Sequence, residues 1–365
     1  MARRVGVDKW LFFVTLTLVV LGLAMVFSAS AVVAEARYGS PYAFLGKQAG
    51  WALLGVLGMF VTMRYDYRRY NSRTFIYGVY GITVLLLLVV FAMHGSHATH
   101  RWIRFGGFFT FQPSEIAKPV LALYLAWFLH TRLHAMRDFR HTLAPALIPA
   151  FVLIGLVVKE PDFGTALVLF ATTCLVLVLA GMEWKYLLGT FAVVAPFIAG
   201  LLLLVPWRRA RMMVFLNPEA DPQGAGFHIN QSLIAVGTGG WTGRGYMEGV
   251  QKLFYLPEPH TDFIFANIAE ELGFLGAALI VLLFVLLGWR GLRSVFLLQD
   301  PFARLLAFGL TITILIQAFF NISVVIALLP TKGIPLPFIS SGGTSLCFML
   351  VSMGILLNLT REIDG

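Results

Sequence analysis

Hydrophobic types make up 59% of the 365 residues and charged types only 12%, with a formal net charge of +9. Ordinary soluble domains carry roughly 25% charged residues; a water-soluble chain of this size cannot hide so much apolar surface, and a mean hydropathy of +0.83 points the same way. The basic surplus raises nucleic acid as a partner, but the charges gather at the ends of apolar runs, which excludes that reading.

A helix needs about 20 apolar residues to cross a hydrocarbon core of ~30 Å. Runs of that kind predict spans near 10–33, 43–63, 74–93, 114–130, 143–158, 164–181, 186–206, 262–289, 303–326 and 339–359. The expected fold class is therefore all-α, a polytopic membrane protein of about ten transmembrane helices. The first run follows Arg3, Arg4 and Lys9 but is as long as a full span and lacks a small-residue cleavage site, so it is expected to stay as a span. The fifth and sixth runs are short and separated only by Lys159-Glu160-Pro161-Asp162, which leaves two full spans or a broken pair open. Cys174 and Cys347 lie inside apolar runs without metal or redox spacing, and are expected to pack rather than to pair. Neither an internal repeat nor a low-complexity linker is visible. The expectation is a single integral-membrane domain, 1–365, with one long external loop at about 207–261.

Lysine and arginine retained in the cytoplasm set orientation. With the N-terminus inside, the cytoplasmic segments hold Arg3, Arg4, Lys9, Arg64, Arg68, Arg69, Arg73, Arg132, Arg137, Arg140, Lys185, Arg290, Arg293, Arg304 and Arg361, which is 15 of the 27 basic residues. The short external loops hold only Arg37, Arg101, Arg104, Lys159 and Lys332. Both termini are thus expected in the cytoplasm.

Polar residues then concentrate on the external side. Arg101-Trp102-Ile103-Arg104 leads to Gln112-Pro113-Ser114-Glu115-Ile116-Ala117-Lys118, where Gln112 or Ser114 could cap a helix with Pro113 in its first turn. Glu115 and Lys118 are three apart and share a helix face. Two readings stand: an ion pair that locks the helix entry, or a lysine held by Glu115 toward an anionic ligand, and ionisable groups inside a membrane favour the second. In Lys159–Thr165, Asp162 as a helix cap is at least as good a reading as a ligand contact. The long loop carries glycines at 237, 239, 240, 243 and 245 without the strand or the Gly-Lys-Ser/Thr ending of a phosphate loop. Its amphipathic piece 227–236 suits the membrane interface.

The sharpest stretch is Tyr255-Leu256-Pro257-Glu258-Pro259-His260-Thr261-Asp262-Phe263, running on to Asn267, Glu270 and Glu271. Asp262 stands where the eighth span begins, as a cap or as a general base beside an apolar wall. Thr261 as the cap would free Asp262 for chemistry. Leu329 to Thr344, with three prolines and Ser340-Ser341-Gly342-Gly343-Thr344, makes a rigid external loop that enters a helix able to receive an anion, and Lys332 adds charge.

Over nearly its whole length the chain resembles the SEDS family of bacterial morphogenesis proteins. The matching motifs are Met25–Ser30, Arg101–Ile103 through Gln112–Lys118, Gln231–Ala235, Gln251–Phe265 and Leu329–Thr344. Gln251-Lys252-Leu253, Leu329–Gly333 and Met25–Ser30 look more like the division branch (FtsW, with its sporulation relative SpoVE). Asn217–His228 and the Gly-Thr-Gly-Gly run look closer to the elongation branch (RodA), and the balance leans to division. The resemblance implies ten transmembrane helices in the bacterial cytoplasmic (inner) membrane. It also implies a peptidoglycan glycosyltransferase that polymerises lipid II on the periplasmic face, in cell division or elongation. Asp262 falls at the family's essential aspartate, and Glu115 and Lys118 at its polar cavity pair. A class B penicillin-binding protein transpeptidase is the implied partner, among other divisome or elongasome membrane proteins.

That chemistry makes Asp262 the catalytic base and needs cations for the departing pyrophosphate. Lys47, Arg101, Arg104, Gln112, Glu115, Lys118, His260, Thr261 and Lys332 are the expected substrate contacts. A divalent cation, Mg or Mn, is a further candidate, without a dedicated ligand set. The rivals are a lipid II flippase, which needs polar groups through both leaflets, and a non-catalytic scaffold for a transpeptidase. The crowding of polar groups on the external side favours the enzyme.

Overall fold

The structure, a computed structural model, describes residues 6–92, 101–105, 109–204, 209, 212–215, 226–253, 255–256, 258–331 and 333–363. In chain order come α1 (Lys9–Tyr38), α2 (Ala43–Arg64), α3 (Arg73–Ala92), the strands β1 (Ile103–Phe105) and β2 (Phe109–Phe111), and α4 (Pro113–Leu129). They are followed by α5 (Ala144–Lys159), α6 (Phe163–Leu179), α7 (Trp184–Leu203), α8 (Phe227–Thr238), α9 (Ile264–Leu297), α10 (Pro301–Val325) and α11 (Gly343–Thr360). Among the described residues seven segments are long and apolar enough to cross a bilayer: α1, α2, α3, the segment ending in α5, α9, α10, and the segment beginning with α11. α6 is a shorter apolar helix, and α4 and α7 occupy the remaining expected runs. The protein is an all-α polytopic membrane protein. The antiparallel hairpin β1–β2, with Arg104 opposite Thr110, is a local departure in a loop that sequence left unstructured.

The two ends of the chain meet. Asp8 caps α1 by accepting from Trp10 N (2.9 Å) and Leu11 N (3.1 Å), while its own N–H donates to Thr360 Oγ1 at the end of α11 (3.1 Å). Its second carboxylate oxygen takes Arg290 Nε at 2.9 Å, near the end of α9. The ends of α1, α9 and α11 are thereby fixed on one face, and the loops that carry the polar motifs lie on the other. α2 and α11 approach closely because Gly354 has no side chain: a Cβ there would overlap Thr62 and the Met59 carbonyl. Small residues give helices in lipid their closest packing, where hydrophobic exclusion does not drive association.

The expectation for the eighth run is corrected. The eighth run is not one regular helix starting at Asp262. α9 starts at Ile264 after an N-cap position held by Phe263, with no side-chain cap, so neither Thr261 nor Asp262 caps it. It then breaks at Gly273 (φ 67°, ψ −167°). The break frees the carbonyls of Glu270 and Glu271, which accept from Arg244 N and Gly245 N, each at 3.0 Å. Gly243 (φ 80°) lets this backbone through, since a Cβ there would collide with the Glu271 carbonyl. The glycine series of the long loop therefore packs loop against helix. In the same loop, the amphipathic piece is the helix α8.

Candidate active site

Asp262 lies in the turn before α9 and is partly exposed. Its backbone oxygen accepts from Asn321 Nδ2 of α10 at 2.8 Å, and the same nitrogen reaches the Ile334 carbonyl at 2.7 Å. Asn321 is buried and so ties the aspartate to the loop between α10 and α11. That loop comes close: a Cβ on Gly333 would stand 2.9 Å from Asp262 Oδ2. Ser340 Oγ donates to the Thr261 carbonyl (2.6 Å) and accepts from Leu336 N (2.7 Å), while Ser341 N donates to the His260 carbonyl (2.8 Å). Gln48 of α2 holds the Ser340 carbonyl at 3.0 Å. Three hydrogen bonds, from Asn321, Ser340 and Ser341, thus converge on the backbone carbonyls of residues 260–262, with Gln48 of α2 supporting Ser340 from behind. Buried hydrogen bonds of this kind hold the backbone that carries Asp262 in place.

Glu115 and Lys118 pair as their spacing suggests, at 2.7 Å, both 2% exposed. Lys118 Nζ also donates to Gln317 Oε1 (2.6 Å), and Gln317 Nε2 donates to the Pro335 carbonyl (2.9 Å). The pair thereby braces the loop beside Asp262 from below. It borders a pocket of ≈10 Å³, room for about one water. The start of α4 has Gln112 at the N-cap position and Pro113 next, without a side-chain cap from Gln112 or Ser114. Both side chains turn instead to Asp162 Oδ2, at 2.8 and 3.3 Å, while Asp162 Oδ1 caps α6 through Thr165 N at 3.1 Å. Arg101 clamps the same turn, donating to the carbonyls of Glu160 (3.0 Å) and Pro161. This second cluster touches the first: a Cβ on Gly164 would run into Ile334.

Glu160 is fully buried with both carboxylate oxygens unpartnered. Burial, reinforced by the charge of Asp162 and opposed by Arg101, pushes its carboxyl up to about 8. His260 packs on Phe44 with ring centroids 4.5 Å apart, and burial holds its imidazole below the usual histidine range, with Arg37 adding to the effect and Glu258 opposing it. Thr261 Oγ1 donates to the Glu258 carbonyl at 3.3 Å. Lys47 lies over the Tyr38 ring, 5.4 Å from its centroid. The Arg104 side chain and Lys332 lie outside the described residues.

The family model described as "Cell cycle protein" (FtsW, RodA, SpoVE) matches residues 9–364. The chain belongs to the FtsW/RodA/SpoVE family. It is 41% identical over 363 residues to a probable peptidoglycan glycosyltransferase FtsW of Geobacter metallireducens, covering 98% of this chain and 96% of the relative. It is 39% identical over 360 residues to stage V sporulation protein E of Bacillus subtilis, covering 98% of each. Among solved structures it matches a chain from a study of polymerization and crosslinking by a peptidoglycan synthase complex, with TM-score 0.80, 30% identity and 98% of both chains covered. It also matches the rod shape determining protein RodA of Thermus thermophilus, with TM-score 0.70, 26% identity and 98% of both chains covered.

Within this family member, several site residues escaped sequence reasoning. Asn321 and Gln317 interrupt an apolar run, and that interruption was the available signal. Glu270 and Glu271, which follow Asp262 in the same stretch, anchor the long loop. Glu270 takes Val250 N at 2.8 Å, and Glu271 takes Met247 N at 3.0 Å and Lys252 Nζ at 2.6 Å, with Ser28 of α1 completing the knot.

Proposed function

We propose that this protein is a peptidoglycan glycosyltransferase that polymerises lipid II on the outer face of the cytoplasmic membrane, with Asp262 as general base. The observation that carries this reading is that α10 and the loop before α11, itself held by α2, fasten the backbone of the segment bearing the part-exposed Asp262, on the face opposite the joined chain ends. A sugar hydroxyl is a poor nucleophile, so a base must take its proton as its oxygen bonds to the anomeric carbon of a lipid-linked donor. The bond from that carbon to the phosphate oxygen breaks, and the lipid pyrophosphate leaves with its electron pair. Its charge needs fixed cations nearby.

Arg101 and Lys47 are the described cations suited to that task, with Arg104 and Lys332 as further candidates on their sequence position. Glu115 and Lys118 act at one remove, through Gln317 and Pro335, to hold the loop against Asp262. Among the described residues no three His, Cys, Asp or Glu side chains gather into a metal site.

The 41% identity with an FtsW-named relative, against 26% with RodA, favours a role in division over elongation. The likeness to a chain of a peptidoglycan synthase complex supports a membrane-bound transpeptidase, of the penicillin-binding class, as partner. A flippase would need polar groups on a path through both leaflets, whereas the connected polar network described here lies toward one face. Incubation of the purified protein with labelled lipid II, with and without a divalent cation, tests the reading: glycan polymer is expected, and translocation without polymer would favour the flippase.

A further inference from the structure

Beside the aspartate, a separate cleft of ≈620 Å³ opens on the same face. Its walls come from the end of α1 (Val33, Arg37), the start of α2 (Phe44) and the segment before α9 (Lys252, Glu258, His260). Asp262 does not line it, although His260 is only two positions away. Three features set it apart from an ordinary surface hollow.

The first is an available cation. Arg37 is exposed and forms no ion pair among the described residues. Its place in the last turn of α1 suits the helix dipole, yet that would be met equally on the lipid side, and Arg37 instead borders the cleft. Lys252 is different: its ammonium is consumed by Glu271, Ser28 Oγ (2.9 Å) and the Met247 carbonyl (2.8 Å), so it shapes the wall and has no donor to spare. The second feature is an unsatisfied donor or acceptor. His260 is 7% exposed, borders the cleft, and its Nδ1 has no hydrogen-bond partner. Its other nitrogen stays 3.8 Å from Glu258, too far for a full hydrogen bond. A buried polar atom left unpaired costs stability and calls for an explanation. The third is backbone strain at the rim, where Glu258 adopts φ 50°, a left-handed conformation that non-glycine residues hold at functional sites when the surroundings enforce it.

We propose that this cleft is a binding subsite for an anionic group, a phosphate or carboxylate, of the saccharide substrate, held by the Arg37 guanidinium and by His260 through Nδ1. The substrate class rests on the glycosyltransferase reading above; the site itself rests on the geometry. Such a subsite holds an anionic group of the substrate against His260, two positions along the chain from Asp262. Arg37 is suited to this because its planar fork engages phosphate or carboxylate in two parallel hydrogen bonds.

The test uses the full-length protein in detergent, with two probes: inorganic pyrophosphate and a lipid-free disaccharide-peptide that carries carboxylates but no phosphate. Calorimetric titration of the wild type and of Arg37→Gln is expected to show binding of one probe, weakened about tenfold in the variant, the size of one charge-assisted contact. The probe that binds identifies phosphate or carboxylate as the recognised group. In parallel, Arg37→Gln is expected to raise KM for labelled lipid II about tenfold. Binding of neither probe, or equal binding by both proteins, would overturn the subsite. If the wild type binds a probe through Arg37 but makes no polymer, the subsite stands and the glycosyltransferase reading falls. If polymer forms but Arg37→Gln changes neither KM nor binding, the reverse holds. Because Arg37 is exposed, Arg37→Gln should melt at the wild-type temperature, which keeps a loss of binding from being a loss of fold.

Discussion

Asn321 donates from one nitrogen to the carbonyl of Asp262 and to that of Ile334, and so fastens the candidate base to the loop in front of it. Replacing it with aspartate keeps the shape but removes the donor. Each lost hydrogen bond is worth ~1 kcal/mol, so Asn321→Asp is expected to lower kcat for lipid II polymerisation by about tenfold or more, with a smaller effect on KM. Steady-state kinetics with a fluorescent lipid II would check this; an unchanged kcat would remove Asn321 from the positioning machinery.

Glu115 and Lys118 form a buried pair, and breaking such a pair leaves one charge without a partner at a cost of about 3–5 kcal/mol. Lys118→Met alone should therefore melt well below the wild type, and Glu115→Leu combined with Lys118→Met should recover part of the loss. Polymerisation should stay low in both, because Gln317 loses the donor that orients it toward Pro335. Thermal unfolding in detergent, read alongside activity, separates folding from bracing.

Glu160 supplies a pH dependence. Its carboxyl titrates near 8 in the folded protein against 4.5 for the free side chain. Between those values the folded state binds more protons than the unfolded one, so this group makes stability fall as pH rises from about 4.5 to about 8, and flat beyond. Glu160→Gln should remove that slope. Melting temperatures at pH 5 and pH 8 are expected to differ less in the variant than in the wild type, with the variant the more stable of the two at pH 8.

Gly243 allows the long loop to dock at the break in α9. Gly243→Val would place a branched side chain at φ 80° and against the Glu271 carbonyl. The expected result is loss of the backbone bonds from Arg244 and Gly245 and faster proteolysis in the segment 239–253, with destabilisation of about 1–3 kcal/mol. Limited proteolysis followed by mass spectrometry would show it.

How far sequence reached follows from what leaves a periodic or compositional trace. Apolar runs mark helices, so the sites of the spans were legible. The Glu115–Lys118 pair was legible because helix geometry alone brings residues three apart together. The break at Gly273 was not: a glycine inside a long apolar run looks like any small packing residue until the loop that fills the gap is seen. For the same reason Asn321, Gln317 and Ser340 could not be joined to Asp262, since the hydrogen bonds that join them link positions 59 to 79 residues apart or pass through carbonyls that carry no sequence signature. Arg37 was read as one of few external basic residues; its place above His260 depends on how α1 and α2 end.

The most direct test of the account is polymerisation of labelled lipid II by the purified protein and by Asp262→Asn, which preserves size while removing the base. The wild type should yield glycan polymer and the variant at least about a hundredfold less, at an unchanged melting temperature. Polymer from Asp262→Asn at a rate close to the wild type would contradict the assignment of Asp262 as the base.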